Sequence, residues 1–507
     1  MKIALSTTLT AAAALALALS VVAMNGRPLL YFDSASYLDQ GARFIGLAPP
    51  AAVSDPVPAA APEAPVVADA EASADPTPKP PAKDDTVSGN RSFVFALFVA
   101  VIFASAGLPG IVAANLAAIG LSAWIFARSV ARAGDPPSRT ARTAATGCLF
   151  GCLGSLPFYV AFVMPDIFAP CLVLLVAALF SAPQRLSFAE KTAAVLLALF
   201  SVVVHPSHLL LVAALVPVAL FLSPLADGRR LAFGLVIAGL LVGVGVAERL
   251  AFRAAVERIL HRQVVELPFL TARLIDDGPG LAYLSRRCPD DTYPTCALFA
   301  ALGLSDDPAR LDAPNILFAQ SAHRGSYKLL DPAVATAVAT DQIRFARDVT
   351  ADDPAGVLGA IARNVLVQLS YFSVEMTAPT VETAAAVGNL TTYLPPGAGS
   401  GRLLAGFPPV RQTLYALHGV VYAASAIALV GFLLARRLPP PQRAAVLIVL
   451  AGIILNAVFC GAVSEPAHRY GARMMFLLPM VAAMLVATRR AQVAAQRPPG
   501  GDRRLRG

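Results

Sequence analysis

Three apolar runs, CLVLLVAALF, LAFGLVIAGLLVGVGVA and AAVLIVLAGIILNAVF, constrain this chain more than any other feature. A bilayer core of about 30 Å takes roughly 20 apolar helical residues to cross, and soluble domains do not repeat such runs. Only 14% of the 507 residues are charged, against about 25% in soluble proteins. The pattern predicts an all-α, polytopic helical membrane protein. The formal charge of +8 therefore reports orientation, and nucleic acid is excluded as a partner; the bilayer is the partner the sequence implies.

Spans are expected near 3–24, 108–127, 144–164, 167–183, 191–205, 207–223, 231–248, 412–434, 444–463 and 473–488, about ten in all. The segment 92–106 reads as an interfacial or re-entrant helix leading into the next span, because Gly107-Leu108-Pro109 interrupts it. Basic residues gather on the cytoplasmic side of a bacterial membrane. With both termini inside, that side collects 18 Lys and Arg, while the short outer loops hold only Arg469 and Arg473. The location predicted is the inner membrane. Residues 1–24 read as an uncleaved signal anchor, with Val21-Val22-Ala23 as the rival cleavage site of a signal peptide.

Two long outer segments separate these groups of spans. Residues 25–91 form an outer loop whose 48–85 stretch, mostly Ala, Pro, Val and Asp, lacks the apolar periodicity needed to offset chain entropy. Residues 92–248 make the first bundle, 412–488 the C-terminal spans and 489–507 a basic tail. Between them, 249–411 reads as a helical extracytoplasmic domain, close to neutral with 15 basic and 16 acidic residues. Its 333–350 stretch places Val334, Val338, Ile343 and Phe345 among charges, as an amphipathic helix does. Cys288 and Cys296 bracket a short loop there, and an oxidising compartment permits a disulfide between them. Cys148 and Cys152 read as packing residues.

Four outer segments carry polar groups at one depth. Asp33 closely follows the first span; it or Ser34 caps a short helix with Tyr37, Leu38 and Phe44 on its apolar face. Asp166 is isolated between two apolar helices, where it caps the second or serves a site. His205 and His208 flank a Pro-containing turn, with a hydrogen-bonded structural role as the plainer reading and proton or phosphate handling as the other. In Ser464-Glu465-Pro466-Ala467-His468-Arg469-Tyr470-Gly471-Ala472-Arg473, two guanidiniums sit four apart at a helix start. They oppose the helix dipole there, which suits an anion bound in bidentate fashion; anchoring the last span is the alternative. No spacing marks a metal, and the cofactor, a divalent cation included, stays open.

With Asp33 after the first span, Asp166 in a second outer loop, and Arg469-Tyr470 then Arg473 and Pro479 at the last span, the chain resembles the GT-C superfamily of polytopic glycosyltransferases. The resemblance implies a polyprenyl-phosphate-linked sugar donor, with Asp33 as base and Asp166 positioning the acceptor or contacting a metal. It implies Arg469 and Arg473 as phosphate ligands; beside them His205, His208 and His468 are candidate substrate- or phosphate-binding residues of the same outer region. Many members pair two acids where Asp33 is followed by Ser34, and several place their large domain at the C-terminus. Two other functions fit the layout: a transporter or flippase for a lipid-linked or anionic envelope substrate, and a non-enzymatic assembly protein.

Overall fold

A computed structural model describes residues 2–48, 86–132, 134–224, 228–288, 293–319, 321, 324–395, 397–436 and 438–496. The low-complexity stretch 48–85, all but its first residue, and the last eleven residues of the basic tail lie outside the described residues.

The protein is almost entirely helical. Among the described residues, five helices are long and apolar enough to cross a membrane: Phe93–Val130, Gly228–Leu260, Leu403–Leu434, Pro440–Val463 and His468–Arg489. They contain the expected spans 108–127, 231–248, 412–434, 444–463 and 473–488. The other five expected spans fall on shorter or broken helices. Helix Phe188–Val203 has 16 residues, about 24 Å of rise, which is less than a bilayer core. Its start is defined by a capping box, in which Ser187 and Glu190 each accept a backbone N–H of the other.

Burial sorts the helices into two kinds. Helix Phe168–Ser181 is buried at every residue, and most of His468–Arg489 is enclosed as well, as helices apolar all round must be. The peripheral helices instead present bare apolar side chains, with Phe221 88%, Ile427 73% and Val236 66% exposed. Such a surface is stable against lipid and costly against water.

The expected span 144–164 is interrupted. Helix Pro137–Gly151 stops, and Leu156–Ala161 begins after a turn. Ser155 N–H donates to the Tyr422 hydroxyl at 2.9 Å, and the Ser155 hydroxyl donates to Ala472 O. Pro157, lacking an N–H, can only sit in a first turn. The segment 92–106 is joined to its span within Phe93–Val130, with a kink where Gly107 adopts φ 65°. That left-handed backbone favours glycine.

Segment 249–411 is divided between two cores. Ala272, Leu284, Leu298, Ile316, Phe345 and Val357 form a core of their own, whereas Val374, Val387, Tyr393 and Phe407 pack into the main bundle. Helices Pro354–Ser370 and Glu375–Leu390 are bent by 77° against each other. Helix Pro332–Asp352 buries Val338, Phe345 and Val349, but Ile343 is 67% exposed. Five residues beyond Val338, Ile343 falls off the stripe that spacings of four and seven define. The Cys288–Cys296 disulfide is present, with Cα atoms 5.2 Å apart. Cys148 and Cys152 are unpaired thiols. Two short strands, Thr86–Ser88 and Gln263–Val265, pair in parallel, tying the residues just before helix Phe93–Val130 to this segment.

Candidate functional site

The site begins with a backbone splice. Leu29 N–H donates to Ala161 O at 2.8 Å, and Val163 N–H donates to Leu29 O at 2.9 Å. The Ser34 hydroxyl donates to Val163 O at 2.8 Å while accepting from Tyr31 N–H at 2.9 Å. Asn115 supports the other side, its Nδ2 donating to Val160 O and Phe162 O at 3.2 and 3.1 Å. The chain around Asp33 is thereby fixed beside the chain around Asp166.

Neither acid is the helix cap expected. Tyr31 occupies the cap of helix Phe32–Phe44, and Asp33 lies in its first turn. Its Oδ1 accepts from Arg91 Nη2 at 2.6 Å and Nε at 3.0 Å. Tyr37 and Leu38 are buried, whereas Phe44 is 65% exposed and meets Phe93 edge-on. Asp166 lies inside a 3-10 turn, Pro165–Ile167, and makes no side-chain cap bond. Its carboxylate turns to two guanidiniums instead.

Helix His468–Met475 presents Arg469 and Arg473 from successive turns. Asp166 Oδ1 accepts from Arg469 Nε at 3.1 Å and from Arg473 Nη1 at 3.3 Å. All three are at most 5% exposed. The arginines differ in what remains unused. Arg473 also gives Nη2 and Nε to Asn456 Oδ1, at 2.8 and 3.2 Å, so its fork is committed to protein. Arg469 carries its charge among rings, with Cζ 4.8 Å from the Tyr31 centroid and 5.8 Å from that of Phe162. The helix reaches this depth because Gly471 packs on Tyr371; a Cβ there would meet Tyr371 O at 1.6 Å.

Two guanidiniums against one carboxylate leave this buried cluster an excess positive charge. Unpaired buried charge is costly, and the aromatic faces repay part of that cost. Asp166 Oδ2 and His208 Nε2 are buried with no hydrogen-bond partner among the described residues.

The histidines divide. His205 caps helix Pro206–Leu222, accepting from Ser207 N–H at 3.2 Å. His208 Nδ1 donates to Ser201 O at 2.7 Å, since a carbonyl only accepts. His468 belongs to a neighbouring aromatic group: it stacks on Tyr371 at 4.3 Å, accepts from Ser373 N–H and faces Glu375 at 3.4 Å.

Sequence reasoning missed Arg91, Tyr31 and Asn456 as members of the site, and it passed over Glu465. Asn456 is an amide inside an apolar run, a signal readable in the sequence; Arg91 carries no such mark. Burial pushes the Glu465 carboxyl up to about 7, Arg273 opposing and Asp276 and Asp312 adding to the rise. Among the described residues, no three His, Cys, Asp or Glu are grouped to hold a metal.

No protein-family model, curated protein or solved structure matches this chain. Its helices and buried acid–arginine cluster define it only as a helical protein with several apolar helices long enough to span a membrane.

Proposed function

We propose that the chain is an integral membrane glycosyltransferase that moves a sugar from a polyprenyl-phosphate donor at the outer face of the inner membrane. It has about ten spans, several of them short or broken, both termini in the cytoplasm and segment 249–411 outside. The observation that carries this reading is the convergence of Asp166, Arg469 and the Asp33 segment, with Tyr31 linking them.

In this reading Arg469 binds the donor phosphate, displacing ring contacts for a charge-assisted bond. Arg473 and Asp166 position it. The acceptor hydroxyl oxygen attacks the anomeric carbon and its proton passes to the Asp33 carboxylate. The bond from that carbon to the phosphate oxygen breaks, its electron pair remaining on the polyprenyl phosphate beside Arg469. Asp33→Asn then abolishes transfer while folded protein stays in the membrane; full activity of that variant would remove Asp33 from the mechanism. A cysteine at position 135 is expected to resist labelling from outside, and labelling there would invert the topology.

One observation favours a second reading, transport of a lipid-linked or anionic substrate. A broken helix beside a buried, excess positive charge is the arrangement transporters use. Translocation without chemical change of the substrate separates it from transfer.

A further inference from the structure

Helix Gly228–Leu260 outruns its apolar stretch. The unbroken apolar stretch ends at Ala247, and residues 248–260 carry the helix about 20 Å further. Positive-inside bias leaves the outer side poor in basic residues, yet this extension carries Arg249, Arg253 and Arg258, followed by Arg262. Its last turn, Val256–Leu260, is a π-helix, and His261 at φ 53° reverses the chain. Wide turns of this kind recur at functional sites. The reversal brings strand Gln263–Val265 back alongside the helix.

The two form a small open cleft of about 110 Å³ lined by Arg249, Leu250, Phe252, Arg253, Val264 and Glu266. Arg249 is anchored, its Nη1 donating to Gly89 O at 3.0 Å and its Nε 3.8 Å from Glu248. Phe252 leans on Phe93, with ring centroids 6.2 Å apart. Arg253 and Glu266 are exposed, and Leu250 is 62% exposed at the apolar end.

This lining selects by charge. A simple anion meets Glu266, and a simple cation meets two guanidiniums. A group bearing a phosphate and, a short link away, a primary ammonium satisfies both. The cleft opens where an apolar helix leaves its apolar stretch, the level of lipid headgroups. We propose that it holds the headgroup of a phosphatidylethanolamine-type lipid, with phosphate on Arg249 and Arg253, ammonium on Glu266 and the chain attachment along Leu250. The assignment rests on membrane insertion and is independent of sugar transfer.

The test is native mass spectrometry of the full chain released from detergent after incubation with equal amounts of phosphatidylethanolamine, phosphatidylglycerol and phosphatidylcholine. Wild type is expected to retain the ethanolamine lipid about tenfold over the other two, the scale of one charge-assisted bond. Glu266→Gln should erase the preference over phosphatidylglycerol, and Arg253→Gln should weaken retention of both. Excess free phosphoethanolamine should not displace the lipid. Equal retention of the three lipids, unaltered preference in Glu266→Gln, undiminished retention in Arg253→Gln, or displacement by free phosphoethanolamine would each overturn the assignment. Both side chains are exposed, so the variants test binding rather than folding.

Discussion

Asp166 and Arg469, 303 residues apart in the chain, meet through Oδ1 and Nε at 3.1 Å inside the protein. Arg473 reaches the same oxygen at 3.3 Å. One carboxylate therefore holds the last long helix against the turn that precedes helix Phe168–Ser181. Removing one partner of a buried pair leaves the other charge uncompensated, which costs about 3–5 kcal/mol. Asp166→Ala should lower the unfolding free energy by that order, seen as a lower Tm or denaturant midpoint in detergent. A surface-like effect below about 1 kcal/mol would show that the pair is not buried in the working protein.

The two arginines should separate experimentally. Arg473→Lys loses the fork that holds Asn456 and Asp166 together, so its main effect is on stability. Arg469→Lys keeps the charge but loses bidentate recognition. Its folded yield should match wild type while transfer falls by about 100- to 1000-fold, the usual cost of one transition-state donor. Equal stability losses in both variants would place Arg469 with Arg473 as a structural residue.

Much of this arrangement is readable in the sequence and some is not. The apolar runs announce their helices, and Arg469 and Arg473 at a spacing of four announce a shared face. Local pattern could not show the break before Leu156, because the partners that hold Ser155 there, Tyr422 and Ala472, lie 267 and 317 residues away. It offered a cap role for Asp33 or Ser34 and for Asp166 beside a role in a site; the carboxylates of Asp33 and Asp166 turn to distant guanidiniums, a choice only tertiary packing makes. The end of the second core near Val357 was hidden for a similar reason. Helix Pro354–Ser370 looks as amphipathic as its neighbours, and its contact with Pro440–Val463 leaves no mark on its own residues.

Glu465 makes stability depend on pH. Its folded-state pKa is raised from 4.5 to about 7 by burial, so the folded protein binds the proton more tightly than the unfolded chain. That contribution is fully present below pH 4.5 and is lost as pH rises through 7. Glu465→Gln, uncharged throughout, should remove this slope. Melting curves between pH 4.5 and 8 should show wild type losing ground to the variant with rising pH. Parallel curves would mean that Glu465 is solvated.

The Cys288–Cys296 bridge closes a short loop, worth about 2–3 kcal/mol by loop entropy. The Cys288→Ser/Cys296→Ser double variant should lose that much from the second core, read by proteolysis of segment 269–357. Sugar transfer should persist, since both cysteines pack against the second core while Ile167, beside Asp166, packs in the main one. An unchanged digestion rate would show that the bridge does not constrain this core.

The central claim is tested most directly by purified protein in liposomes, supplied with a panel of radiolabelled polyprenyl-phosphate sugars and envelope acceptors. Wild type should release free polyprenyl phosphate in step with labelled product from at least one donor, and Asp33→Asn and Arg469→Lys, both folded, should not. Intact donor moving from one leaflet to the other, with no polyprenyl phosphate released from any member of the panel, would contradict sugar transfer.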